Sequence, residues 1–229
     1  MNVQFLVTGG AGGHDAASIG DGLCRVATGA GLTTTVLTGP DAVRRAAEEA
    51  GPGDVVTVHA LYLQATAPAA AHLADPATRP DPDDLDVVEG WVRGGGGLVA
   101  LHTAVICFDA DPRWRGLCGA AWSWGTSSHP PPGPVRVDRT GPEHPVTVEV
   151  GAFEVVDEVY LDLDLCDDVT PLLTTELDGS VVPLVWARGV GEGRVVTDLL
   201  GHDLASITDP SHGRLLGQAL RWAAGGAEQ

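Results

Sequence analysis

The sequence predicts an α/β fold in which a parallel sheet is extended by antiparallel strands in the C-terminal half. Between residues 3 and 101, short apolar runs alternate with helical patterns, which is typical of parallel strands joined by right-handed crossovers. Between residues 135 and 199, short alternating runs follow one another with hairpin signals between them, as in antiparallel strands. Because neither an internal repeat nor a linker is visible, residues 1–229 are predicted to form one domain.

The composition is that of a globular protein and argues against several classes of partner. Hydrophobic residues make up 44% of the chain, and the formal net charge of −18 argues against nucleic acid, which is bound by clustered Arg and Lys. No apolar run approaches a membrane span and residues 1–5 lack the features of a signal peptide, so a cytoplasmic location is expected. All 13 basic residues are arginines, which excludes Schiff-base, pyridoxal-phosphate and P-loop lysine chemistry.

In the N-terminal half, apolar runs predict the strands, while caps and turn residues predict the helix ends. The predicted strands cover residues 3–8, 33–37, 54–58 and 98–101, and the helices cover 16–29, 42–50 and 84–93. Asp41 and either Asp83 or Asp84 stand where N-caps are expected. Residues 60–82 are predicted to be an irregular excursion or a short helix with a loop. The four glycines at 94–97 precede a strand, so we interpret them as a helix end and a strand start instead of a phosphate cradle.

A glycine-rich loop at residues 9–13 lies between the first strand and the first helix. Dinucleotide-binding and P-loop motifs occupy this position, but Asp15 stands where a third glycine is needed, and the chain has no lysine. We therefore expect this loop to present His14 and Asp15 to a site and not to bind a phosphate.

The C-terminal half is predicted to consist of antiparallel strands and a closing helix. The expected strands cover 135–137, 146–150, 153–156, 171–176, 183–188 and 194–199, and the helix covers 211–224. Asp178-Gly179 and residues 189–193 separate the last three strands and are hairpin signals. The four cysteines, at 24, 107, 118 and 166, lack CxxC spacing and are expected to be free, mostly buried thiols.

Four histidines are placed where the predicted parallel strands end. His59, His102 and His202 each follow an apolar strand directly, and His14 lies in the loop after the first strand. Because the carboxyl ends of parallel strands meet at one edge of a sheet, we expect these side chains to share a site. The alternative for any single histidine is a structural role, in which its ring only makes a hydrogen bond to the backbone at the end of a strand.

His102 is central to this prediction because it stands in the segment Ala100-Leu101-His102-Thr103-Ala104. Small residues on both sides of a polar one, between a strand and a helix, have the spacing of a nucleophile elbow. Histidine in that place acts as a general base, a metal ligand or a hydrogen-bond donor, whereas serine or cysteine hydrolase chemistry is not supported.

Further polar residues are candidates for the same site. Of the adjacent acids Asp157 and Glu158 only one can face a pocket if the strand continues, and Glu158 shares its face with Tyr160. Acids at a solvent-exposed bulge are the alternative. His129, followed by three prolines, is interpreted either as a ligand on a rigid turn or as part of a plain surface turn.

Histidines and a carboxylate from separate segments suit a divalent metal, zinc above all. No HxH or HExxH spacing requires an ion, so the sequence commits to no cofactor. If a metal is present, the expected ligands are His102, His129 and His202.

Several of these segments together resemble the ThuA-like (trehalose utilisation) family. The resemblance rests on residues 95–104, on Ser128-His129-Pro130-Pro131, on Asp157-Glu158-Val159-Tyr160, on residues 193–196 leading to Leu200-Gly201-His202, and on His14-Asp15 in the first loop. It implies a flavodoxin-like three-layer sandwich related to class I glutamine amidotransferases. Those enzymes carry cysteine in the elbow, where this chain has His102, so amidotransferase activity is not expected.

The resemblance implies a role in bacterial carbohydrate metabolism, connected with trehalose and with 3-keto sugars. We expect an enzyme acting on such a sugar, with His102, Glu158 and His202 as catalytic residues. The residues expected to bind the substrate are His14, Asp15, His59, Trp124, His129 and Tyr160. There are two alternatives. One is a non-catalytic module that binds a sugar or an oxidoreductase partner, and the other is a metal-dependent hydrolase. A homo-oligomer is compatible with each of these functions.

Overall fold

A nine-stranded sheet is the centre of the computed structural model, which describes residues 2–10, 14–109 and 111–225. The strands are β1 Val3–Gly10, β2 Thr33–Leu37, β3 Val55–Leu61, β4 Gly97–Leu101, β5 Ala120–Ala121, β6 Gly133–Arg139, β7 Phe153–Asp157, β8 Asp164–Leu165, β9 Pro171–Leu177, β10 Ser180–Val190 and β11 Gly193–Asp198. The α-helices are α1 Ala16–Gly29, α2 Ala42–Glu49, α3 Asp84–Arg93, α4 Pro112–Cys118, α5 Leu204–Thr208 and α6 Pro210–Ala223. Short 3₁₀ helices cover Pro68–Leu73, His102–Ile106 and Pro145–Thr147.

The large sheet has a parallel half and an antiparallel half, in the order β2-β1-β3-β4-β11-β10-β9-β6-β7. Its first five strands pair in parallel, and β11 then pairs antiparallel with β10. The order of the parallel half is the flavodoxin-like one, in which the chain reverses direction across the sheet between β1 and β3. This confirms the predicted α/β fold with antiparallel additions in the C-terminal half.

Helices cover both faces of the parallel half, which makes the fold a three-layer sandwich. Strand residues alternate between two cores: Leu98 and Ala100 pack with α2, α3 and α4, whereas Val99 packs with α1 and α6. This alternation follows from the two-residue period of a strand. Both faces of β4 are therefore buried, as its uninterrupted apolar sequence predicts.

The glycines before β4 have structural roles, as predicted. Gly95 has a φ of +115°, which only glycine adopts readily, and it turns the chain from α3 toward the strand. At Gly97, a Cβ atom would lie 2.2 Å from the carbonyl oxygen of Ala223. In the glycine-rich loop predicted to present His14 and Asp15, residues 11–13 lie outside the described part of the chain.

Some local predictions are wrong. Residues 146–150 do not form a strand: Pro145 starts a 3₁₀ turn, because its fixed φ suits a first helical position. The helices α4 and α5 were not predicted. Asp41 and Asp83 occupy N-cap positions, but neither side chain makes a capping bond. In the described ranges, no helix has the length and apolar character needed to cross a membrane.

Candidate active site

Four imidazole rings meet at the carboxyl ends of the parallel strands, as the sequence predicts. His14 precedes α1, His59 lies in β3, His102 follows β4 and His202 follows β11. The ring centroid of His102 lies 5.2 Å from that of His14, 5.5 Å from that of His202 and 5.9 Å from that of His59. The strands β1 and β3 flank the reversal of strand order, where open α/β sheets bind their ligands.

His102 leaves β4 in a left-handed backbone conformation. Its φ is +50°, and a 3₁₀ helix follows at once, which is the sharp strand-to-helix elbow predicted from the flanking small residues. The side chain is fully buried, and its Nδ1 lies 2.9 Å from the carbonyl oxygen of Leu199. Because a carbonyl only accepts, Nδ1 carries the proton and Nε2 presents a lone pair. That Nε2 lies 3.1 Å from the Tyr160 hydroxyl.

The carboxylate of Glu158 lies among three imidazoles. Its Oε2 is 3.5 Å from Nε2 of His102 and 3.3 Å from Nδ1 of His202, and its Oε1 is 3.3 Å from Nδ1 of His129. Burial disfavours the ionised carboxylate, but when the surrounding imidazoles carry a proton, a hydrogen bond donated by Nε2 of His102 and the positive charges of His202, His102 and His129 outweigh burial and lower the pKa of Glu158. Of the two adjacent acids, Glu158 is therefore the one that faces the histidines.

Asp157 points away from the imidazoles and holds the segment that carries His202. One oxygen accepts hydrogen bonds from the backbone N–H groups of Glu158 (2.8 Å) and His202 (3.2 Å). The other accepts from the backbone N–H of Gly201 (2.7 Å) and from the hydroxyl of Ser206. A buried carboxylate with several donors is a strong local anchor, so Asp157 orients the site without entering it.

His14 completes a compact group of donor atoms. Its Nε2 lies 3.2 Å from Nδ1 of His202, and burial together with the neighbouring imidazoles lowers the pKa of His14 to about 4. The ring is therefore neutral at pH 7 and able to offer a lone pair. One donor atom from each of four residues, namely His14, His102, Glu158 and His202, lies within 4.8 Å of every other. We refer to these four residues as the His–Glu cluster.

A protein-family model described as trehalose utilisation, ThuA, matches residues 39–223. The chain belongs to the ThuA family. This confirms the resemblance that the motifs suggest. No curated protein is significantly similar to the chain in sequence.

Solved structures share the fold of this ThuA-family chain. A ThuA-like protein of Parabacteroides merdae ATCC 43184 is 17% identical, over 99% of this chain and 91% of that one, with a TM-score of 0.74. A ThuA-like protein of Bacteroides uniformis ATCC 8492 is 20% identical, over 96% and 91%, with a TM-score of 0.68. A cytoplasmic protein of Salmonella typhimurium LT2 is 13% identical, over 96% and 99%, with a TM-score of 0.63. Identities this low show the fold alone.

Cys107 does not replace the nucleophile that the ThuA-family elbow lacks. Its Sγ donates to the carbonyl oxygen of Ala60 at 3.1 Å, and burial raises the pKa of the thiol to about 12. Because the thiolate is the reactive form, Cys107 is inert at neutral pH.

His59 lies beside the cluster but not at the end of its strand. The sequence predicts the end of β3 at residue 58, whereas the strand continues to Leu61, so His59 is enclosed within it. Its Nε2 donates to the carbonyl oxygen of Gly201 at 2.9 Å, and burial lowers its pKa to about 3. The neutral ring thus ties β3 to the segment that carries His202.

The other predicted substrate-binding residues differ in their distance from the cluster. Tyr160 and His129 border it, and the side chain of His129 is 41% exposed. Trp124 lies further away and donates to Asp109, whereas Trp122 packs against Tyr160 with ring centroids 5.4 Å apart. Asp15 caps α1, because its carboxylate accepts hydrogen bonds from the backbone N–H and the hydroxyl of Ser18. The carboxylate therefore stabilises the start of the helix.

A buried network behind the cluster was missed by the sequence reasoning. His212, in the first turn of α6, has its Nε2 3.1 Å from a carboxylate oxygen of Asp198 and its Nδ1 3.0 Å from the hydroxyl of Ser206. Burial opposes the charged ring, but Asp198 outweighs it and raises the pKa of His212. The sequence shows only that residue 212 lies near Gly201 and His202 along the chain. That proximity does not indicate that Asp198 would be the hydrogen-bond partner of His212.

Proposed function

We propose that this ThuA-family chain is an enzyme that acts on a sugar or a 3-keto sugar related to trehalose, with the His–Glu cluster as its reactive centre. The observation that carries the proposal is the bridging carboxylate of Glu158, which contacts His102 and His202 through one oxygen and His129 through the other. An ionised carboxylate against several imidazoles is suited to proton transfer at a hydroxyl or next to a carbonyl. In this role, His102 and His202 are the acid and base, and Glu158 is their partner.

An adjacent hollow supports a sugar as the substrate. It has a volume of about 410 Å³ and is lined by aromatic and charged side chains, among them Trp122, Trp124, Asp109 and Arg115. Rings of this kind stack on the apolar face of a sugar, while carboxylate and guanidinium groups bond its hydroxyls. Trp122, which lines the hollow, packs against Tyr160, and the hydroxyl of Tyr160 lies 3.1 Å from Nε2 of His102.

Turnover by the purified protein tests the proposal. Trehalose, 3-keto-trehalose and 3-keto-glucosides are incubated with the wild type, with Glu158→Gln and with His202→Asn, and products are followed by NMR. We expect kcat/KM to fall by about 100-fold or more in both variants, since proton transfer contributes about that much. His72→Asn is the matched control, because His72 is exposed and its ring bonds to the carbonyl of Ala69.

Equal rates in the wild type and both variants would overturn the assignment of the cluster. Sugar binding by calorimetry that depends on Glu158, without turnover of any of these sugars, would instead favour the non-catalytic sugar-binding module.

A further inference from the structure

The donor atoms of the His–Glu cluster are arranged like the ligands of a metal ion. They are Nε2 of His14, Nε2 of His102, Nδ1 of His202 and Oε2 of Glu158. Three of their separations are 3.2 Å, 3.5 Å and 3.3 Å, and all lie within 4.8 Å. A tetrahedral ion with bonds of about 2.0–2.2 Å holds its ligand atoms about 3.3–3.6 Å apart. Three of the six separations in the cluster are therefore close to those of a tetrahedral site.

The surroundings of His102 and Glu158 are those of oriented ligands. Nδ1 of His102 is held by the Leu199 carbonyl, which directs the Nε2 lone pair inward, as metal-bound histidines usually require. The second oxygen of Glu158 is engaged by His129, so its Oε2 is the oxygen left for an ion. Asp157, which binds the backbone N–H of His202, fixes the third segment.

We propose that the His–Glu cluster binds one divalent transition-metal ion, of which zinc fits best. Three imidazoles with one carboxylate provide mixed nitrogen and oxygen ligands, whereas Mg²⁺ and Ca²⁺ take mainly oxygen ligands. The ligand set differs from the one expected from the sequence: His14 and Glu158 enter it, and His129 is left outside because its Nδ1 faces the other carboxylate oxygen.

Metal binding would redistribute the roles in the proposed reaction. The lone pairs of His102 and His202 would then be used for coordination, so proton exchange passes to His129. That side chain is 41% exposed and lies 3.3 Å from the oxygen of Glu158 that faces away from the ion. This inference goes beyond the proposed function. It can also be tested separately, because ion binding is measured without any substrate.

Metal content is measured on chelator-treated protein that is then given Zn²⁺ or Co²⁺ and desalted. We expect about one ion per chain in the wild type, together with the intense visible absorption of tetrahedral Co²⁺. The variants His14→Asn and His202→Asn should lower the affinity by 10-fold or more. His14 and His202 are only half-buried, so both variants are expected to fold, which circular dichroism checks.

Two matched variants distinguish the ligand sets. His72→Asn should bind as the wild type does, and His129→Asn should keep one ion per chain. The proposal is overturned if the wild type binds neither ion at micromolar concentration, or if His14→Asn and His202→Asn bind as tightly as it does. Failure to find a sugar substrate leaves this result intact, and turnover by a protein that binds neither ion overturns the metal assignment alone.

Discussion

Nδ1 of His102 lies 2.9 Å from the carbonyl oxygen of Leu199, where β4 and β11 end side by side. The two strands pair in parallel, with Leu101 opposite Asp198, so the residues that follow them are brought together by the sheet itself. This contact determines which nitrogen of His102 carries the proton and directs the other toward Glu158. The register of the two strands therefore sets the chemical state of the central residue.

The left-handed backbone at His102 predicts which substitutions the elbow tolerates. Asn adopts a positive φ readily, whereas a β-branched residue does not. We expect His102→Val to cost about 1–3 kcal/mol more in the free energy of unfolding than His102→Asn, measured with urea. Both variants should lack turnover. If Val and Asn were equally stable at this position, the backbone would not be strained there.

Asp157 is expected to position His202 from behind the cluster. The carboxylate of Asp157 accepts hydrogen bonds from backbone N–H groups and from a hydroxyl. In Asp157→Asn, the amide NH₂ group would face one set of these donors and could not accept their hydrogen bonds. We expect a loss of about 3 kcal/mol in the free energy of unfolding and about a tenfold loss of zinc affinity. Asp21→Asn, on the exposed side of α1, should change the stability by less than about 0.5 kcal/mol. Unchanged zinc affinity in a folded Asp157→Asn protein would contradict the positioning role.

The pair of His212 and Asp198 predicts a dependence of stability on pH. Since the pKa of His212 is raised on folding, its stabilising contribution is complete below the unfolded pKa of about 6.5 and is lost as the pH rises through the folded value. We expect this contribution to make the free energy of unfolding fall as the pH rises above about 6.5, and the slope to be smaller in His212→Gln. An identical slope in the variant would contradict the assignment.

The fold could be predicted further than the site. The strands and helices of the N-terminal half follow from local apolar runs and caps, and the observed ends of α1 and β2 match the expected ones. Residues 146–150 have the alternation of a strand, but the backbone restriction of Pro145 prevails.

At the site, the sequence predicts the edge at which the histidines meet but not which atoms face each other. The orientation of Glu158 depends on β7 ending at Asp157, and the burial of His59 depends on β3 continuing past it. In the proposed metal site, His14 and Glu158 take the place expected for His129 because of long-range packing, which local spacing does not report. Trp122 packs against Tyr160 for the same reason.

The glycine that starts β4 predicts a stability difference between two alanine variants. In Gly97→Ala the new Cβ would lie 2.2 Å from the backbone of Ala223, and we expect a cost of up to about 3 kcal/mol. Gly90→Ala is the control: it lies in α3 with open space around it, and we expect a gain of about 0.5–1 kcal/mol. Urea unfolding measures both. Similar stabilities would show that close packing at Gly97 is unimportant.

Histidine NMR tests most directly whether a sugar binds at the cluster. With ¹⁵N-labelled imidazoles assigned by single variants, 3-keto-trehalose or trehalose is added to the protein. The account predicts shifts at His14, His129 and His202 and none at His72. His144 reports on binding at a different place, because its ring packs against Trp222. Trp222 and Pro145 line a separate hollow of about 530 Å³. Shifts confined to His144, or no shift at His14, His129 and His202, would contradict the account.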